Sequence, residues 1–480
     1  MQARVGMAVV GAGLALGLLG DLVFHHRPLG LNVGLWTLAF VAALAVILRL
    51  GRIPLHQGRR LMAVPLVLFA VLLAWHDSPL LQAVDVFAIG GAVALGALRR
   101  TGRSIAHAQV DDYAAGAVTA ATATAVGAVR LMQHEVPWEE LTRGMRGSRA
   151  TALARGVALG LPFVVLFAAL FAAADAVFKN LLSSAVPNVS TTWWQDVLLV
   201  GAFAWGSAGL LRDLLATRED ERLVSPHASA PRVGVTELVV GLGALNLLFL
   251  AFVLVQARYL FGGQALVESR IGLTYAEYAR HGFFQLVAVA VLVLPLLLGV
   301  DALAQGASRS IRWLSRGLVA LVLVVMASAL ERLWLYQQQF GLTVLRIYAT
   351  GVVLWLAVVF AWLALTVLRG KRHLFATGAL VAGFVATGAL NVLNPDALIA
   401  RTNLARPTVD ATYLATLSDD AVPALLGELP TLDMTLRRPL ARALLARSYG
   451  DESWLSWNAS RRNARLLLAS HREELRELAR

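Results

Sequence analysis

Over most of this 480-residue chain the hydrophobic positions do not alternate; they run on without a break. Apolar stretches fall near 5–23, 31–48, 61–75, 80–98, 156–177, 197–211, 235–257, 282–303, 317–336, 346–368 and 374–393. Most approach the roughly 20 residues that a helix needs to cross a bilayer. The pattern therefore predicts an all-α, polytopic transmembrane bundle of about eleven spans, the third and sixth of them short. Segment 110–131 departs from the pattern, opening on Asp111 and Asp112, continuing in Ala, Thr, Val and Gly, and closing at Arg130.

From Asn394 onward the apolar residues become helically periodic, and twelve Arg stand against eleven Asp and Glu. Stretches 420–428, 436–447 and 454–478 predict short amphipathic helices. In the last, Trp454, Trp457, Ala464, Leu468, His471, Leu475 and Leu478 share one stripe. In Asn394-Pro395-Asp396, Asn suits an N-cap, Pro the first helical position, and Asp the positive end of the helix dipole. The expected division is a four-span segment (1–100), an amphipathic or re-entrant inner-face region (101–155), a seven-span membrane core (156–393) and a small helical extramembrane domain (394–480).

Composition supports the membrane reading. The chain is 58% apolar and 15% charged, whereas a soluble protein carries about 25% charged residues. The net charge of +12 is almost wholly arginine, the only lysines being Lys179 and Lys371. The arginines occupy loops between apolar runs, so topology accounts for them better than nucleic acid does. There is no cysteine, which excludes disulfides, thiolate metal sites and a Cys nucleophile. Arg4 with Val5–Gly20 has the look of a signal peptide but lacks a cleavage site leading to a polar region, so it reads as an uncleaved first span.

Charge bias sets the expected sidedness. If 110–131 does not span, one set of loops carries 23 Lys and Arg and the other carries six. The positive-inside rule then places the N-terminus in the cytoplasm, and the loop 256–285 and the C-terminal domain outside.

Four stretches carry a resemblance: LNLLFLAFVLVQARYLFGG, TYAEYARHGFFQLVAV, NPDALIARTNL and YLATLSDDAVPALL. Together they resemble a bacterial multi-pass inner-membrane family classed only as a domain of unknown function. The resemblance implies the architecture and an inner-membrane location, and it implies no activity, substrate or cofactor.

Recognisable reaction motifs are absent. There is no phosphate-binding Gly-rich loop, no Gly-x-Gly-x-x-Gly after a strand and no His-Glu-x-x-His, so no cofactor and no metal are expected. His25 and His26 read as interfacial. Gly13/Gly17, Gly30/Gly34 and Gly156/Gly160 read as close helix packing.

Polar residues in or beside the spans carry more information, because charge in hydrocarbon is expensive. Arg258, Glu331, Arg332 and Arg346 are candidate ligand-binding residues, joined by Glu277, Arg280 and His281 of the 256–285 loop. Asp85, Asp175 and Gln285 border the same side. One reading is an outward-facing pocket for an anionic lipid or headgroup; the other is structural ion pairs with snorkelling ends. Arg258 or Arg346 would suit Glu331, and Asp85 or Asp175 would suit Arg332. Thr274 with Glu277 fits a capping box, and Glu277 with His281 an ordinary helix-surface pair. Three roles stay open: a non-catalytic transport or lipid-handling protein; a sensor or assembly component with a membrane or periplasmic protein partner; and an integral-membrane transferase using a lipid-linked donor.

Overall fold

A computed structural model describes residues 3–25, 27–52, 57–97, 124, 127–128, 131, 135–136, 193–215, 235–260, 283–303, 309–449 and 453–480. Every regular element among these is helical. Long helices cover Ala3–Phe24 (α1), Leu31–Leu50 (α2), Gln57–Leu72 (α3), Pro79–Ala97 (α4), Trp193–Leu215 (α5) and Val235–Leu260 (α6). Phe283–Leu303 (α7), Arg309–Phe340 (α8), Val344–Leu365 (α9) and Phe375–Leu393 (α10) complete them. Among the described residues, five helical stretches, beginning at Arg4, Leu31, Arg309, Val344 and Arg372, are long and apolar enough to cross a membrane. Shorter apolar stretches lie in α3, α4, α6 and α7. The expected span 156–177 with Asp175, most of segment 110–131, and loop residues Glu277, Arg280 and His281 lie outside the described residues.

Exposed apolar side chains fit a hydrocarbon surround. Phe87 is 81% exposed and Val392 89%, where a soluble fold would bury such residues. Inward-facing residues form two cores. In one, α1 to α5 enclose Val9, Phe40, Ile47 and Leu211. In the other, α6 to α9 enclose Leu318, Val322, Phe360 and Leu363. Gly13 and Gly17 let α1 lie against α5: a Cβ at either would stand 2.6–2.7 Å from the Cβ of Ala208 or Ala204. α10 contacts both sets, α9 on one side and α4 on the other. The Phe384 ring of α10 lies 5.8 Å from that of Phe69, and Gly91 of α4 faces Phe384.

The C-terminal helices are Pro395–Leu404 (α11), Ala411–Ala415 (α12), Val422–Glu428 (α13), Met434–Ala446 (α14), Ala459–Ser470 (α15) and Arg472–Ala479 (α16). They share a third core around Leu414, Leu425, Leu440 and Ala464. Asn394, at φ 48°, ends α10 in the left-handed region. Its Oδ1 accepts from Ala397 N at 3.3 Å and so caps α11, with Pro395 in the first turn, as expected. The single helix expected over 454–478 is instead a 3₁₀ turn (Trp454–Ser456) followed by α15 and α16. The break has a local cause: Asn458 Oδ1 accepts from Arg461 N and starts a new helix there. Trp454 therefore lies off the stripe and is 68% exposed, whereas Ala464 and Leu475 are buried as expected.

The C-terminal unit rests on three interhelical turns. Trp457 O accepts from Leu31 N. Ala74 O and Trp75 O accept from Ala459 N and Ser460 N. Asn403 bonds Leu342 twice, through Oδ1 and Nδ2, each at 2.8 Å. Gly341 is required beside that clamp: its φ is +77°, and a Cβ would stand 2.6 Å from Asn403 Oδ1. Arg406 covers the last carbonyls of α8, donating to Gln337, Gln338 and Gln339 O. At the opposite end, Arg372 pairs with Asp301 at 2.7 Å, and Arg316 donates to Leu368 O.

Candidate functional site

The densest polar cluster among the described residues lies where the α3–α4 turn meets the C-terminal unit. Burial would raise the Asp420 carboxyl, but the bond from the His76 imidazole, aided by the backbone amide of Asp77, holds it below its usual range. Its Oδ1 is 2.8 Å from His76 Nδ1; its Oδ2 accepts from Asp77 N (2.9 Å), Ser78 N (3.0 Å) and Ser418 Oγ (3.2 Å). Asn458, fully buried, donates to Leu73 O and His76 O and fixes the same turn.

Two further carboxylates hold arginines. Asp77 Oδ1 accepts from Arg461, and Asp419 Oδ1 from Arg447 and the Tyr449 hydroxyl. Burial, only partly offset by Arg461, pushes the Asp77 carboxyl up. Burial and then the Asp419 charge push the Tyr449 hydroxyl up. Asp396 is different. It is 2% exposed; Oδ2 accepts from Ser418 N at 3.1 Å, but Oδ1 has no donor among the described residues. A cleft of about 390 Å³ opens here, lined by Asp77, Ser78, Asp396, Ser418, Asp419 and Arg447. Four aspartates meet two arginines and one histidine, so the cleft is acidic.

Folding stability should reflect these signs. A carboxyl held low in the fold contributes stability above its ordinary value of 3.8, lost as pH falls through the lowered value. Asp77 acts oppositely: its raised value penalises the ionised form at neutral pH and is relieved on acidification. Acid titration of the melting temperature should show a loss below about pH 4 that Asp420→Asn flattens. An unchanged acid limb in that variant would mean Asp420 is not ionised at the turn.

Of the residues expected to bind a ligand, Glu277, Arg280 and His281 lie outside the described residues, and the other four fall on α6, α8 and α9. Arg258 falls in the last turn of α6. Glu331 is exposed on α8 and Arg332 half-buried beside it. Arg346, in the first turn of α9, lies 4.1 Å over the Tyr336 ring and donates to Phe340 O and Gly341 O. It thus closes the α8–α9 turn, and no ion pair joins it to Glu331. Asp85 accepts a hydrogen bond from Asn391. His25 is drawn to Asp196 at 2.7 Å and Asp21 at 3.4 Å, more than the interfacial role expected of it. The donor atoms of this trio lie within 4.8 Å of one another.

Sequence reasoning missed the cluster because its members come from positions more than 340 residues apart, as His76 and Asp420 are. The available signal was the Ser418-Asp419-Asp420 run between apolar segments, together with Asp396 after the helix-starting Pro395.

Comparison with curated proteins and with solved structures gave no match. A family model described as "Domain of unknown function (DUF4153)" matches residues 63–427, which run from within α3 to within α13 and include Asp396, Asp419 and Asp420. The chain belongs to the DUF4153 family.

Proposed function

We propose that this chain is a non-catalytic component of a bacterial inner membrane that binds a ligand bearing a primary ammonium group in the cleft between the α3–α4 turn and the C-terminal unit. The carrying observation is Asp396 Oδ1, buried without a donor in a cleft where carboxylates outnumber arginines. A buried carboxylate oxygen without a donor is costly, and an ammonium supplies three N–H donors together with charge. The arginine bias of the loops supports an outward-facing cleft, at the level of lipid headgroups. A groove of about 520 Å³ between α9 and α10, lined by Ile347, Leu354, Val385 and Leu393, reaches the same end of the bundle. It offers an acyl chain a path beneath the headgroup, which favours lipid handling over partner assembly.

A thermal-shift series tests the reading, with free ethanolamine, phosphatidylethanolamine in nanodiscs and phosphatidylcholine as control. Binding to the folded state alone raises stability by about 2.7 kcal/mol at a hundredfold excess over Kd. Wild type should melt higher with the primary amines and not with the choline lipid, and Asp396→Asn should abolish the difference. A shift with free ethanolamine as well as lipid assigns the amine alone, and a shift with lipid only assigns the whole headgroup. Equal melting in all three would overturn the proposal.

A further inference from the structure

A second buried carboxyl lies deeper, between α4 and α10, and is carried by observations independent of the cleft. Asp85 is 1% exposed and Asn391 3%. Asn391 Nδ2 donates to Asp85 Oδ1 at 2.8 Å and to Thr387 O at 3.0 Å, which uses both its hydrogens. Asp85 Oδ2 and Asn391 Oδ1, the other oxygen of each group, have no hydrogen-bond partner among the described residues. Two acceptors are thus left over in one hydrogen-bonded pair, in a setting where each unsatisfied acceptor is costly.

One proton satisfies both. A carboxylic acid and a primary amide are each planar and each pair a donor with an acceptor. With N–H···O already formed on one side, an O–H on Asp85 Oδ2 donating to Asn391 Oδ1 closes a reciprocal ring. The ring also removes the charge, which suits a carboxyl within a helix of this bundle. The titratable groups facing it are His76 of the α3–α4 turn and Tyr348 of α9. The Nδ1 of His76 is committed to Asp420, and Tyr348 is 8% exposed.

We propose that Asp85 and Asn391 form a proton-binding site inside the bundle, one proton being held on Asp85 Oδ2 and shared with Asn391 Oδ1 while α4 and α10 are packed together. Parting these helices admits water to the carboxyl, which then ionises at neutral pH. Packing of α4 on α10 and proton uptake are therefore one linked equilibrium.

Infrared difference spectroscopy of the purified full chain, wild type minus Asp85→Asn at neutral pH, reads the site directly. Wild type should show the C=O stretch of a protonated carboxylic acid, absent in the variant. The variant should melt like wild type, because an amide–amide ring keeps both bonds. Asn391→Leu keeps Asp85 but removes its partner, and should move the acid band to higher frequency; this arm stands even if Asp85→Asn fails to fold. Loss of a carboxylate band in the Asp85→Asn difference, or an acid band unmoved in Asn391→Leu, would overturn the proposal. So would sodium-dependent melting of wild type that disappears in Asp85→Asn, which would assign a metal cation in place of the proton.

Discussion

Asp420→Ala should release the C-terminal unit from the α3–α4 turn and lower stability on the order of 3–5 kcal/mol, the scale for removing one member of a buried charged network. The substitution strips the acceptor from two backbone amides and from His76, which is 6% exposed. Two neighbouring carboxylates are already committed: Asp419 is occupied by Arg447 and Tyr449, and Asp77 by Arg461. The loss should be visible as a lower melting temperature in detergent and as faster proteolytic removal of the C-terminal helices. Arg401→Ala, at an exposed position of α11, is the matched control and should change neither by much. Equal protease resistance of the two variants would show that the turn is held by Asn458 and Arg461 without Asp420.

Gly17→Val should destabilise the first core by about 1–3 kcal/mol, the usual cost of overpacking, with more if α1 and α5 are forced apart. A Cβ at Gly17 would meet Ala204 Cβ and Val200 O, both at 2.6 Å. Backbone oxygen cannot rotate away as a side-chain end can, so the helices must separate. Gly11 lies on the same helix and has nothing within 4 Å of its Cβ position. Gly11→Val should therefore be nearly neutral in the bilayer. Comparing the melting temperatures of the two variants isolates packing from any general effect of glycine replacement. Equal melting would mean that α1 does not lie against α5.

The helices were legible where the signal is continuous. An apolar run such as 31–48 can be little other than a buried or membrane helix, and α2 occupies Leu31–Leu50. The turn at Asn394-Pro395 was legible too, because its cap, its fixed φ and its acidic neighbour act over four residues. The surroundings of Arg346 were not legible, for a different reason. Sequence shows that a cation lies near a helix start, but not that carbonyls of the preceding turn and the Tyr336 ring will take it first. Asp396 was readable as a helix-dipole residue; its donor-free oxygen was not, since that depends on how Ser418 and the α3–α4 turn arrive around it. The site is a product of tertiary meeting, and no local pattern contains it.

The C-terminal unit bonds to the α1–α2 and α3–α4 turns of one helix set and to the α8–α9 turn of the other. Its residues follow every one of those helices in the chain. During synthesis both sets are therefore complete before the element that fastens them emerges. Among the described residues α10 bridges the sets up to that moment, and the Asp85–Asn391 pair lies in its contact with α4. Assembly should be slow and late, limited by contacts of high sequence separation such as His76 with Asp420. A ribosome paused before residue 394 would then hold both sets without the unit that fastens their turns, which would stand open to quality-control proteases.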